Sequence, residues 1–351
     1  MSSMRSNKVL IVYNEPVLSL DHPDAESEHQ ILETVRVVRD NLKEGGFRVD
    51  LLGLSRDMGN FATHLLRTGP DVVFNLFEGF ADQGGTEATV AGMLEWLRVP
   101  FTGCPQHTLA LARNKPLASY LLKGAGLPTP EFFIVEDNAT PTENTLGWPV
   151  IVKPALQDGS VGIDQGSVVT DQTQLNERVE YLLEHYGPPV MVQEFIQGRE
   201  FNVTLIESGQ LQSLPISEIL FTDTNPGYWP IITYDAKWKP GSREFEATPP
   251  EYRADISPRL TERLAHLSKK AFRVLGCLDY ARIDFRVKAS GHPYILELNP
   301  NPDFNPETGL AGGLATLGMT HQQFTVDLVR NALARAQCSA VGTPVSSDAG
   351  G

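Results

Sequence analysis

The chain is poor in cysteine. Its 351 residues hold three, Cys104, Cys277 and Cys338, far apart and with no C-x-x-C pair. An odd, scattered set argues against a disulfide scaffold and against a zinc site of ordinary spacing. The eight histidines show no metal-ligand spacing either. Long apolar runs are also lacking, and none approaches the ~20 residues that a membrane-spanning helix needs. The opening MSSMRSNKVLIVY has too short a hydrophobic stretch for a secretory signal and runs straight into a strand pattern. Positive charge is scarce: 29 Lys and Arg stand against 43 Asp and Glu, a formal net charge of −14. So acidic a chain lacks the general positive field that phosphate backbones require. These absences predict a soluble, cytoplasmic protein with neither nucleic acid nor membrane as partner.

What is present is alternation of strands and helices. Lys8 to Tyr13 reads as a buried strand, Glu28 to Lys43 as an amphipathic helix, and Phe47 to Leu52 and Asp71 to Leu76 as further strands. Thr86 to Leu97 reads as a helix and Pro100 to Thr102 as a short strand. This order predicts a parallel sheet covered by helices, ending near residue 105. After a helix from Asn114 to Lys123, residues 131 to 205 read as short strands with turn signals, Pro149 to Lys153 and Val190 to Ile196 being the clearest. Thr222 to Pro250 is rich in Pro, Gly, Trp and Tyr with little periodicity, the composition of a functional lid. A helix from Pro258 to Leu275 precedes strands at Tyr280 to Val287 and Pro293 to Asn299. A last helix spans about 320 to 337, and the small polar tail 339–351 is expected to be disordered.

Three segments carry chemistry. Strand alternation puts Arg282, Asp284 and Arg286 on one face, and Glu297 and Asn299 on one face of the partner strand, opposed by Leu296 and Leu298. A hairpin can bring these together as a hard-oxygen set suited to Mg²⁺ shared with a substrate phosphate. Lys153 and the turn Asp158-Gly159-Ser160-Val161-Gly162 offer a cation, a hydroxyl and backbone N–H groups to phosphates. Gln193-Glu194-Phe195-Ile196, followed by Gly198-Arg199-Glu200, can form an apolar slot beside a carboxylate. Taken singly, each also reads as a solvent-facing hairpin, an ordinary turn or an ordinary strand.

In order and spacing these segments resemble an ATP-grasp ligase, and within that superfamily the D-alanine–D-alanine ligase family. Phe74-Asn75-Leu76-Phe77-Glu78-Gly79, Gly92-Met93-Leu94-Glu95, Pro100-Phe101-Thr102-Gly103 and Asn114-Lys115 add to the resemblance, which covers about residues 8 to 335. It implies an α/β architecture: an N-terminal Rossmann-like parallel-sheet domain (1–105), followed by a two-lobed ATP-grasp fold of α+β type (106–205 and 206–338, with a lid at 222–250). It implies ATP and two Mg²⁺ ions, a place Mn²⁺ could take. Lys115 and Lys153 would contact phosphates and adenine-side groups. Gln193, Glu194 and Ile196 would line the adenine and Glu200 would hold the ribose. Asp284, Glu297 and Asn299 would bind metal. Lys237 and Ser160 would meet the transferring phosphate, and Arg282 would stabilise the tetrahedral intermediate. Small amino acids or peptides are the implied substrates, and a homodimer is allowed.

Where the amino acids should bind, the chain departs from the family. Gly159 stands for a serine and Trp238 for a tyrosine, so two hydroxyls are gone together. Glu78 stands for a histidine and Asp303 for a glycine, and Thr308 for a serine. Glu26, or Glu28 in another register, is the candidate for the glutamate that meets the first substrate's amine. The extra negative charge suits an amine or cation better than a second free carboxylate. Three readings follow: a carboxylate–amine ligase, for D-alanine or for another acceptor; an ATP-grasp kinase; or a nucleotide sensor, which would have no use for Arg282.

Overall fold

Val9, Leu10, Ile11 and Val12 are apolar in succession and all fully buried. Such a run suits the middle of a parallel sheet with both faces covered. In the computed structural model, which describes residues 7–16, 25–80, 84–137, 143–305 and 309–341, Lys8–Asn14 is that central strand. It runs parallel to Arg48–Leu54 on one side and Val72–Leu76 on the other. Ala25–Glu44, Met58–Thr68 and Thr86–Trp96 are the helices that join and follow these strands. Phe61, Leu65 and Leu94 pack on Leu10, Val12 and Val73. The strand expected at Pro100 to Thr102 is a single parallel bridge between Val73 and Phe101.

These elements belong to one of two units, made of residues up to 106, the stretch 207–210 and everything from 303; residues 107–206 and 211–302 make the other. In the first unit the closing helix, His321–Val341, packs on Ala25–Glu44. It runs past residue 337, where the sequence pattern ends it.

The second unit holds two antiparallel sheets. One orders Phe132–Val135, Val190–Glu194, Val150–Pro154 and Val168–Val169. The other orders Pro250–Glu251, Ser217–Ile219, Arg199–Ser208, Tyr280–Val287 and Pro293–Asn299, with Gln210–Ser213 paired to Arg199–Ser208. The hairpin strands have the bounds that their alternation predicts. Pro258–Val274 packs on that hairpin, started by Ser257, whose side chain accepts from the Leu260 N–H, with Pro258 at the first helical position.

Residues 131 to 205 are not only strands. Gln172–Tyr186 is a helix of 15 residues, capped by the Asp171 side chain and burying Leu175, Val179 and Leu182. The 222–250 segment is not aperiodic throughout. It contains two short helices, Tyr234–Trp238 capped by Thr233 and Arg243–Glu246 capped by Ser242. Among the described residues, no helix is long and apolar enough to cross a membrane.

Candidate active site

The hairpin register brings the polar residues face to face. Arg282 stands opposite Asn299, and Asp284 opposite Glu297. The polar side of this hairpin is no solvent face: Asp284 is 6% exposed and Arg286 3%. The ladder shifts between Asp284 and Phe285, so that Phe285 pairs with Ile295 and Leu296 is the extra residue. Simple alternation puts Leu296 on the face away from Glu297. The bulge re-aims it, and both line the same cavity.

That cavity encloses about 280 Å³ within the second unit. Ten of the residues to which the resemblance gives a role line it: Lys153, Ser160, Gln193, Glu194, Ile196, Glu200, Lys237, Arg282, Asp284 and Glu297. Apolar walls come from Ile151, Phe195, Ile231 and Leu296. An apolar slot with a few convergent charges is the ordinary form of a small-molecule site.

The electrostatics follow from burial and neighbours. Arg282 donates to both Asp284 oxygens, Nε to Oδ1 at 2.7 Å and Nη2 to Oδ2 at 2.9 Å. Burial opposes its charge, but Asp284, Glu297 and Glu200 more than restore it and raise its pKa. Asn202 also donates to Asp284, at 2.7 Å. Burial works against ionised Glu297 too, yet Lys115, Lys237, Lys153 and Arg282 hold it well below the ordinary carboxylate range. Lys153 donates to Gln193 at 3.0 Å, and its burial pushes it down to about 8.

Three expected residues stand apart from the cavity wall. Lys115 is buried and grips the loop instead, donating to Asp158 at 2.7 Å and to the Gln157 carbonyl. The Asn299 side chain accepts from the backbone N–H of Asn301 at 2.9 Å. Trp238 lies on the Asp158–Gly162 loop, its indole N–H donating to the Gly159 carbonyl at 2.9 Å. That bond joins the helix Tyr234–Trp238 to the Asp158–Gly162 loop. The Tyr234 N–H donates to the Ile163 carbonyl at 2.9 Å, and Gln165 and Trp229 bond reciprocally, so the covering segment is stitched along this loop. Gly159 and Ser160 both have left-handed backbone, φ 63° and 62°. The glycine suits that geometry, and Ser160 is held there at a cost.

Glu78 and Asp303 belong to the first unit, and both are exposed. The surrounding protein, and second the charge of Asp303, push the Glu78 carboxyl up to about 7, although its side chain still reaches solvent. The sign follows from linkage. A carboxyl raised in the folded state contributes stability in full below its ordinary value of 4.5, and loses it as pH rises through 7. Melting temperatures of wild type and Glu78→Gln should therefore converge or cross between pH 5 and 8 in a wild-type-specific fall; parallel curves would show that Glu78 titrates as a free carboxylate. The side chains of Glu26 and Glu28, all of Thr308, and residues 342–351 of the tail lie outside the described residues.

Sequence reasoning placed Arg286 on the polar face but gave it no role, and it missed Asn202 and Lys288. Arg286 donates to Glu200 at 2.8 Å, Asn202 binds Asp284, and Lys288 pairs with Glu194 at 3.0 Å. The signal for the first two was parity: Arg286 follows Asp284 by two residues, and Asn202 follows Glu200 by two.

Among the described residues, no cluster of three or more His, Cys, Asp or Glu could hold a metal ion. Two carboxylates, Asp284 and Glu297, with the Asn299 amide nearby on the strand, nonetheless fit Mg²⁺. That ion usually takes one or two carboxylates and completes its shell with water and substrate phosphate.

The sequence model of the family described as "D-ala D-ala ligase C-terminus" matches residues 121–330. An uncharacterized protein, y4sG, of Sinorhizobium fredii is 32% identical over 71% of each chain. The D-alanine–D-alanine ligase of Synechococcus sp. strain JA-3-3Ab is 30% identical over 88% of this chain and 91% of its own. Among solved structures, the Bacillus anthracis D-alanine–D-alanine ligase complexed with ATP superposes with a TM-score of 0.72 at 20% identity, covering 95% of this chain and 100% of that one. The two share the ATP-grasp fold.

Proposed function

The chain belongs to the D-alanine–D-alanine ligase family, and from that premise we propose that it joins a carboxylate to an amine at the expense of ATP, through an acyl phosphate. The observation that carries the reading is the convergence of Arg282, Asp284, Glu297, Lys153, Lys237 and Glu200 on one cavity.

A carboxylate is a weak electrophile until phosphate is placed on it. Transfer of the γ-phosphoryl group to a substrate carboxylate oxygen, with departure of ADP, supplies that activation. The amine then attacks the acyl carbon, phosphate leaves, and the amine nitrogen loses a proton. The adenine would lie against Ile196 and Phe195, with Gln193 and Glu194 at its edge. Glu200 would accept from the ribose. Lys153 and Lys237 would neutralise the transferring group, and Ser160 and its neighbouring backbone N–H groups would hold phosphate oxygens. Asp284, Glu297 and Asn299 would hold Mg²⁺, which supplies charge neutralisation to the phosphates when bound. Arg282 would face the oxygen on which negative charge grows during amine attack. The segment stitched down by Trp238 would keep water from the acyl phosphate.

The charge of Asp303, joined by that of Glu78 as it ionises near pH 7, supports an amine-bearing or cationic acceptor rather than a second free D-alanine. The chain is expected to act in the cytoplasm, where ATP is supplied.

The test is phosphate release from ATP with Mg²⁺ across single and paired amino acids, diamines and short peptides, with products weighed by mass spectrometry. The expected result is release that requires a carboxylate and an amine together, with a condensed product. Phosphorylated substrate accumulating without any amine dependence would replace the ligase reading by a kinase. D-alanyl-D-alanine as the preferred product would remove the argument from Glu78 and Asp303.

A further inference from the structure

Arg286 is the most tightly held charged group of the cavity, and neither ATP activation nor amine attack gives it work. It is 3% exposed, on the strand Tyr280–Val287, on the same side as Arg282 and Asp284. Its guanidinium meets acceptors from three separate stretches of chain. Nε donates to Glu200 Oε2 at 2.8 Å, Nη1 to the Gly198 carbonyl at 3.1 Å, and Nη2 to the Pro230 carbonyl of the covering segment. Its guanidinium carbon stands 4.9 Å from the ring centre of Phe221 and 5.6 Å from that of Phe195. Only a planar fork of donors satisfies such a set; a lysine ammonium is one point charge on a flexible stem.

A buried ion pair is weak evidence for stability, because desolvation offsets much of its attraction. This pair is better explained by what it does to Glu200. Both Arg286 nitrogens that approach the carboxylate meet the same oxygen, Oε2. Among the described residues Oε1 has no hydrogen-bond partner, and Glu200 lines the cavity. The arginine therefore fixes one oxygen and leaves the other for a ligand donor.

We propose that Arg286 is a positioning residue that aims Glu200 Oε1 at a nucleotide ribose hydroxyl, so that this chain selects ribonucleotides over their deoxy analogues. The inference rests on the reading of the cavity as an ATP site. It assigns selectivity to a residue outside the phosphate and metal machinery.

Calorimetric binding of ATP, 2′-deoxy-ATP and 3′-deoxy-ATP to the full chain tests it. Wild type is expected to favour ATP over one of the deoxy analogues by about tenfold, the ordinary worth of a charge-assisted hydrogen bond. Arg286→Met should reduce that preference to within about twofold by weakening ATP binding alone, and Arg286→Lys should restore part of it. A purely structural role would weaken all three nucleotides together and keep their ratio, which overturns the proposal. Glu200→Gln leaves the arginine in place and covers the case in which the arginine variants do not fold. Loss of selectivity in that variant supports the proposal, and retained selectivity overturns it. A wild-type chain that binds ATP without preferring it overturns the proposal and leaves the ligase reading standing. A wild-type chain that binds no adenine nucleotide overturns both.

Discussion

Replacing Arg282 by Met is expected to lower kcat by about 10²–10³-fold, the effect of losing one strong oxyanion donor, with ATP affinity changed by less than about threefold. Methionine keeps much of the arginine's length but offers no charge and no donor. Two roles for Arg282 compete. It could act on the reacting oxygen, or it could serve only to orient Asp284, to which it makes both of its hydrogen bonds. The two separate by their response to Mg²⁺. If Arg282 only braces a metal ligand, its loss weakens the ion's hold and high Mg²⁺ restores the rate. If it meets developing charge, saturating Mg²⁺ leaves most of the deficit in place. Single-turnover measurements sharpen the distinction further. Acyl phosphate formation should survive in the variant while amine capture slows. Full rescue by Mg²⁺ would sink the oxyanion role.

How much of this was legible in the sequence depended on how local the determining forces are. The hairpin was readable because alternation over Tyr280–Val287 and Pro293–Asn299 is set by backbone geometry alone. Its bulge was not, because no residue type in Ile295-Leu296-Glu297 announces which position drops out of the ladder. The helix Gln172–Tyr186 carried both of its signals, an Asp171 cap and buried residues at 175, 179 and 182, and it was hidden only by the strand signals on either side. The helices Tyr234–Trp238 and Arg243–Glu246 carried almost none. Helices of five and four residues do not hold themselves together; the first is held by Thr233, by the Tyr234-to-Ile163 bond and by Trp238 on Gly159. In the site, charge type and spacing selected Arg282, Asp284 and Glu297. They could not select Arg286, because parity tells which face a side chain shares and not which carboxylate or carbonyl awaits it.

Gly198 shows the same limit in a form that can be measured. In the sequence it is one glycine among 30. In the structure a Cβ at this position would collide with the Val287 carbonyl and stand 3.1 Å from Lys288 Cα. Both are backbone atoms, so no side chain can swing away to relieve the clash. The contact closes the end of the ladder in which Val287 pairs with Arg199, one residue before Glu200. Its displacement would move the Gly198 carbonyl that Arg286 binds, and with it the carboxylate placed for the nucleotide. Gly198→Ala is therefore expected to destabilise the chain by about 2–4 kcal/mol, the upper range for overpacking against immobile neighbours, and to weaken nucleotide binding in whatever fraction folds. Gly69→Ala is the matching control. Gly69, just after the helix Met58–Thr68, has a left-handed backbone, φ 51° and ψ 61°, but a Cβ there meets nothing within 4 Å. Its substitution should cost only the conformational strain, about 1–2 kcal/mol, and leave nucleotide affinity unchanged. Urea denaturation of both variants, read beside ATP binding, separates crowding from strain. Equal stabilities and equal affinities would mean that the strand end tolerates a side chain, and that Glu200 is placed by Arg286 without help from this glycine.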